Sequence, residues 1–259
     1  MAPTYDDFVT AVKAYWGVKE AQMEASKIAN AVGAGTAGAI RSGKHFDPIA
    51  HLIAKFFVDA GFPASAIRVR EGDRLELPGY YRPQKKWDLV VAYRDTLVAA
   101  FELKGLGAGE EGKGFAKNYN NRLEEALGSA VDLRRAELES IFPGEKPWLG
   151  YFFIMEDHPV SRTEKKERNN KIKPAFEVDP IWLSNSSYRD RYALFCKRVI
   201  DEGLYDSVCY ITSSEHEPTP IEPSVRLDWQ HFSAAINARI TYLHDLGIPG
   251  PEKQTTIFD

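Results

Sequence analysis

What most constrains this chain is residues 87–105, WDLVVAYRDTLVAAFELKG. Branched and aromatic residues at 89–93 and 97–103, broken by the polar Arg94-Asp95-Thr96, predict two strands joined as a hairpin. With the turn centred on Asp95, residues whose numbers add to 190 face one another, which sets Asp88 across from Glu102. Opposed Cβ atoms in such a ladder lie about 4.5–5.5 Å apart, close enough for both carboxylates to hold one metal ion. Lys104 stands two residues after Glu102 and therefore projects from the same face. That face reads Asp88, Val90, Ala92, Val98, Ala100, Glu102 and Lys104, and the other, Leu89, Val91, Tyr93, Leu97, Ala99, Phe101 and Leu103, reads as core. Three charges at one end of a small apolar face make a candidate site.

The residue types suit one chemistry. Hydrolysis of a phosphodiester needs a divalent cation against the charge that builds on the phosphate, and oxygen ligands suit magnesium, with manganese as a substitute. Asp88 and Glu102 can supply those oxygens, helped by a main-chain carbonyl near Leu103, while Lys104 can orient or help deprotonate the attacking water. A bare Asp–Lys or Glu–Lys pair at a sheet edge is the bland alternative.

The remaining features bound the answer. At 259 residues and 44% hydrophobic, the chain has material for one large domain with an ample core. It divides into a helical part at 1–62, a core at 63–215 and a C-terminal helix and tail at 216–259. No apolar run is long enough to cross a membrane, and the start, MAPTYDDF, has no charged-then-apolar leader, so a cytoplasmic protein is expected. Cys196 and Cys209 sit in apolar surroundings and read as reduced core residues. The net charge of −4 argues mildly against nucleic-acid binding through bulk charge, but local basic patches set the field that a duplex meets.

Read in order, 5–31 predicts a long helix on which Glu20 and Glu24 could reach a metal site, although solvated charges are the ordinary reading. A loop of small residues follows, with Arg41, Lys44 and His45 as a candidate DNA-facing group. Asp47-Pro48 predicts an N-cap and first position of a helix ending near Gly61. Weak strands at 67–70 and 75–77 lead to GYYRPQKKWD, where Arg82, Gln84, Lys85 and Lys86 would contact DNA backbone or base edges. After Lys104, residues 107–114 spell a near P-loop. Gly114 replaces the metal-binding Ser or Thr, and Glu110 and Glu111 would repel phosphates, so a loop beside the site, with Lys113 available to DNA, fits better. Asn120 and Asn121 then open a helix, with Asn121 and Glu124 as a capping box and both asparagines as possible DNA contacts. Residues 148–155 form a buried strand. The segment SRTEKKERNNKIK sets Arg162, Lys165, Lys166, Arg168, Lys171 and Lys173 against two glutamates, and with Asn169 and Asn170 it has the side chains that match major-groove edges. A helix at 188–202, a strand at 206–212 and a helix at 228–246 complete the pattern. His216, His231 and His244 show no ligand spacing.

Helices first, then strand, hairpin, helix, strand, helix and strand, with D-x13-E-L-K on the hairpin, resembles the PD-(D/E)XK nuclease core, with Trp87 where proline usually precedes the aspartate. The blocks SGKHFDPIAHLI, DLV…ELKG, KNYNNRLEEALGSAVDL and SYRDRYALFCKRVIDEGLYDSVCYI are more specific: they resemble the XhoI family of type II restriction endonucleases, over roughly residues 8–246. The resemblance implies an α/β (mixed α+β) fold with a central mixed sheet flanked by helices, and a catalytic set of Asp88, Glu102 and Lys104. It further implies a homodimer cutting both strands of a palindromic double-stranded DNA site, CTCGAG, with magnesium, and a cognate DNA methyltransferase in the same system. Two rivals remain. A structure-specific repair or recombination nuclease would give no discrete fragments, and a non-catalytic DNA-binding module would bind DNA equally with or without magnesium.

Overall fold

The computed structural model describes residues 2–31, 44–69, 75–164 and 179–250. Helix α1 (Tyr5–Ala31) buries Phe8, Val12, Tyr15 and Trp16, the heptad-like stripe of its first half. A 3-10 turn at Lys44–Phe46 leads into α2 (Asp47–Asp59), which buries Ile49, Leu52, Ile53, Phe56 and Phe57. Phe46, not Asp47, takes the cap position, because the preceding turn already points the chain along the helix; Asp47 is its first residue and no side chain caps it. Gly61, at φ 85°, ends the run.

Short strands follow: β1 (Ile67–Arg68), β2 (Glu76–Leu77) and β3 (Lys85–Lys86). The hairpin is β4 (Leu89–Tyr93) with β5 (Thr96–Leu106), and α3 (Lys113–Leu138) leads from it to β6 (Trp148–Glu156). Single turns α4 (Pro159–Arg162) and α5 (Ile181–Ser184) precede α6 (Tyr188–Asp201), β7 (Ser207–Ser213) and α7 (Trp229–Asp245). Ser187 caps α6 by accepting the Asp190 N–H, and Asp228 caps α7 by accepting that of His231 at 2.7 Å.

Among the described residues, five strands form one mixed sheet in the order β1-β4-β5-β6-β7, while β2 and β3 pair separately. β1, β4 and β5 are antiparallel neighbours, and β5, β6 and β7 run parallel, with α3 and α6 in the crossovers. The hairpin turn differs from the sequence expectation. Tyr93 pairs with Thr96, so Arg94 and Asp95 alone make the turn, with Arg94 at φ 52°. A bulge between Val91 and Ala92 then absorbs one residue of β5, so Leu89 faces Phe101 and the expected register holds where the charges lie. The bulge also swaps two side chains: Val98 packs with Leu89 and Phe101, while Leu97 packs with Val90 and Ala100, the reverse of simple alternation.

The start of α3 is a second difference. Gly109 and Gly112, at φ 61° and 77°, turn the chain so tightly that the helix begins at Lys113, and Asn120 and Asn121 lie exposed on its body rather than capping it.

Both sheet faces are buried. α1, α2 and α7 cover Leu89, Phe101, Phe152, Ile154 and Ile211, while α3 and α6 cover Val90, Ala100, Tyr151, Phe153 and Tyr210. This two-sided burial is why β6 reads as an unbroken apolar run. Cys196 and Cys209 are both fully buried. No helix among the described residues is long and apolar enough to cross a membrane. Gly150 sits where the Phe101 and Trp148 rings converge; a Cβ there would lie 2.4 Å from Phe101. Gly150→Ala should therefore destabilise the fold by about 1–3 kcal/mol through overpacking, read as a lower midpoint in urea unfolding. An unchanged midpoint would contradict this packing.

Candidate active site

The backbone ladder of β4 and β5 ends at Leu89 and Phe101, and Asp88 continues it. Its N–H donates to the Phe101 carbonyl at 3.1 Å, and its Oδ2 accepts the Leu103 N–H at 2.7 Å. The carboxylate thus caps the next rung. An extended residue points its N–H and C=O the same way, so the Leu103 carbonyl also faces Asp88.

Glu102 is 2% exposed and lies between two lysines. Its Oε1 meets Lys104 Nζ at 2.6 Å, and its Oε2 accepts from Lys85 Nζ. Lys104 Nζ also stands 3.5 Å from Asp88 Oδ2, so Lys85, Glu102, Lys104 and Asp88 form a chain of alternating charge. The Lys85 ammonium sits 4.2 Å from the centre of the Trp87 ring and donates to the Lys86 carbonyl at 3.0 Å.

These contacts set the proton affinities. Burial, and then the nearby Glu102, push the Asp88 carboxyl up, against the pull of Lys104. For Glu102, burial alone would raise the pKa, but Lys104 and Lys85 outweigh it and hold it below the usual carboxylate range. Burial likewise works against the charge on Lys104, yet Glu102 and Asp88 prevail and push its pKa up. Lys104 is therefore a held ammonium, a donor rather than an acceptor of protons at neutral pH.

The donor set fits a hard divalent cation: two carboxylates on neighbouring strands and the Leu103 carbonyl are all oxygens. Among the described residues no group of three or more His, Cys, Asp and Glu side chains gathers, and Glu20 and Glu24 lie exposed on α1. The carboxylates open onto two clefts. Asp88 and Leu103 line a small one with Lys44 and Asp47, Glu102 and Lys104 line a larger one of about 470 Å³ with Arg82, Lys85 and Arg122, and Lys86 borders both.

The other expected contact residues divide. Gln84 and Lys86 are exposed beside the clefts. Lys113 is exposed and paired with Glu111 at 2.8 Å. Arg162 ends α4, 3.5 Å from Asp157. His45 is half-buried against Tyr15 and Phe46, with Nδ1 3.2 Å from Gln22 Oε1. Burial, then Lys19 and Arg122, lower its pKa to about 4, leaving a neutral ring at neutral pH. Arg41, Lys165, Lys166, Arg168, Asn169, Asn170, Lys171 and Lys173 lie outside the described residues.

Arg82 has a structural occupation, and with it comes a residue that the sequence reading missed. Asp132, 3% exposed on α3, accepts the Tyr80 and Tyr81 N–H groups at 2.8 and 2.7 Å and Arg82 Nε at 2.7 Å. Gly79 lies against it so closely that a Cβ would come within 2.3 Å of its carboxylate. One acid thus clamps residues 79–82, the approach to Lys85. Arg122, also missed, donates to the Gly105 carbonyl at 3.0 Å and ties α3 to the strand just beyond Lys104. Neither stood out in sequence, since an acid and an arginine on an amphipathic helix look like surface charges. Asp132→Ala should leave three donors without their acceptor and cost about 1–3 kcal/mol, with new protease cleavage confined to residues 79–86. Unchanged stability and cleavage pattern would show that the clamp holds nothing.

A family model described as "Restriction endonuclease XhoI" matches residues 25–221. The chain is 38% identical to the type II restriction enzyme BstVI of Geobacillus stearothermophilus over 196 residues, which is 73% of this chain and 83% of that one. It is 33% identical to the type II restriction enzyme XhoI of Xanthomonas vasicola over 171 residues, 66% of this chain and 65% of the relative. It is also 33% identical to the type II restriction enzyme AbrI of Azospirillum brasilense over 178 residues, 68% of this chain and 76% of the relative. No solved structure matches the chain.

Proposed function

The chain belongs to the XhoI family of restriction endonucleases, and on that premise we propose that it is a magnesium-dependent type II enzyme hydrolysing double-stranded DNA at a short palindromic site. Asp88, Glu102 and Lys104 form the catalytic set, and the observation that carries this reading is the alternating charge chain at the open end of the hairpin. An ion pair kept only for stability gains little over apolar packing, whereas this one sets the partly exposed Asp88 on the wall of one cleft and the Glu102–Lys104 pair on that of another.

Asp88, Glu102 and the Leu103 carbonyl would hold the cation. Bound there, magnesium or manganese would stabilise the charge that develops on the scissile phosphate. Lys104 would orient or help deprotonate the attacking water, with its hydrogen bond to Glu102 Oε1 fixing its head. Asp88 and Glu102 together align Lys104 from two sides.

The rest of the reading follows the family. The whole chain acts as one nuclease domain, in the cytoplasm, as a homodimer whose two-fold axis matches that of the DNA. CTCGAG is the first sequence to test, with a cognate methyltransferase protecting host DNA. Lys44, Gln84, Lys86, Lys113, Asn120 and Asn121 are the described candidates for DNA contacts, and the basic arm from Arg162 through Lys171 is the candidate for base reading.

Digestion of a long duplex of known sequence, with magnesium, tests the whole. Discrete fragments ending at CTCGAG are expected; a smear would sink the site-specific reading. Asp88→Ala, Glu102→Ala and Lys104→Ala should each lower cleavage by at least about a hundredfold. Calcium should support DNA binding with little cutting, because its longer, looser coordination positions the reactants poorly. Wild-type turnover in any of the three variants would overturn the catalytic assignment.

A further inference from the structure

A lysine on an exposed segment usually keeps its head in water. Around Lys85, Gln84 and Lys86 do so, but the Lys85 side chain is only 12% exposed and its ammonium points inward. There it is fully engaged, by Glu102 Oε2, by the Lys86 carbonyl and by the face of Trp87. Glu102 does not need it for neutrality, since Lys104 already pairs with the other oxygen at 2.6 Å. Positive charge is therefore unevenly shared: Glu102 has two ammonium partners, whereas Asp88 has a share in one at 3.5 Å.

A divalent cation on Asp88 and Glu102 changes that balance. An ammonium and a cation cannot both take the same carboxylate oxygen, and their repulsion at such range in a partly buried site is strong. Lys104 can keep Oε1, which it meets at 2.6 Å, and release Asp88 Oδ2, from which it already stands 3.5 Å. Lys85 can move at small cost, because β3 pairs only with two-residue β2 and stands outside the main sheet. The cleft into which it would turn is lined by Arg82, Lys86, Lys104 and Arg122 and also by Glu124 and Glu125; Arg82 is paired with Asp132 and Arg122 with Glu125, so a phosphate entering it would pair with the displaced ammonium itself.

We propose that Lys85 is a latch on the metal site: its ammonium and a divalent cation are alternative occupants of Glu102 Oε2, and the displaced ammonium pairs with a DNA backbone phosphate. The proposal rests on the reading of Asp88 and Glu102 as the metal carboxylates. By linkage, DNA that draws Lys85 away raises metal affinity, and metal that displaces Lys85 raises affinity for DNA. The enzyme thereby holds back its metal until the substrate is present.

Manganese binding to the full-length protein without DNA, measured by calorimetry, tests this directly. Lys85→Met should tighten manganese binding about tenfold, the worth of one charge-assisted hydrogen bond removed from the competing side. Lys85→Arg, which keeps the charge, should bind within about threefold of wild type. Lys86→Met removes a neighbouring exposed charge and controls for the general field, so it should shift the affinity by no more than about twofold. At saturating manganese, Lys85→Met should cut DNA at least about tenfold more slowly, because the phosphate contact is lost. Thermal unfolding of each variant confirms that a folded protein was titrated. Lys85→Met binding no tighter than wild type, while Asp88→Ala abolishes manganese binding, would overturn the latch and leave the site reading intact. Manganese binding that survives Asp88→Ala would overturn the site reading itself, and the latch with it.

Discussion

A carboxylate removed from water loses several kcal/mol of hydration, and Glu102, at 2% exposure, recovers it through two ammonium groups on two different elements. One, Lys104, comes two residues along the same strand, and the other, Lys85, comes from the separate pair of β2 and β3. The second carboxylate is placed by backbone: Asp88 takes the Leu103 N–H that the ladder would otherwise leave without an acceptor. Glu102 is thus held from two elements and Asp88 by the backbone, and removal of Glu102 leaves Lys85 without its carboxylate. The register that brings them together survives only because a bulge compensates for a turn one residue shorter than the sequence suggests. Without that extra residue in β5, Glu102 would face the other side of the sheet.

Helix α3 serves both halves of this arrangement. Its inner face fills the core with Phe115, Tyr119, Ala126, Ala130 and Leu133, and its edge anchors two polar segments near the charges. Arg122 holds the end of β5 through Gly105, and Asp132, nearly three turns on, holds residues 79–82. The two anchors bracket the Lys85–Glu102–Lys104 chain. The geometry of the charges is therefore set by helix packing against the sheet, with polar contacts transmitting it.

Much of this was legible in the residues. The hairpin, the facing of Asp88 and Glu102, the continuous apolar run of β6 and the helices α6 and α7 follow from period and branching, whereas the caps expected at Asp47 and Asn121 do not form. What local pattern could not supply was the two-residue turn with its bulge, which exchanged Leu97 and Val98, and the early start of α3. The first depends on strand twist, and the second on glycines whose positive φ no apolar period reveals. Asp132 was invisible for a different reason. Its partners are 50 to 52 positions away in the chain, and two of the three are backbone amides, which carry no sequence signal at all.

The family match begins at residue 25 and stops at 221. Within it lie the hairpin, Lys85, Arg122 and Asp132, the groups bound by directional polar contacts. Outside it lie most of the buried stripe of α1 and all of α7, which pack one sheet face largely through apolar rings, with Phe8 stacked on Trp229 at 4.4 Å and Phe232 against Phe101. Apolar layers tolerate many combinations of similar volume, so a helix pair of this kind can cover a sheet with little demand on particular residues. A buried carboxylate such as Glu102 is less tolerant, since its loss leaves Lys85 without the acid it pairs with.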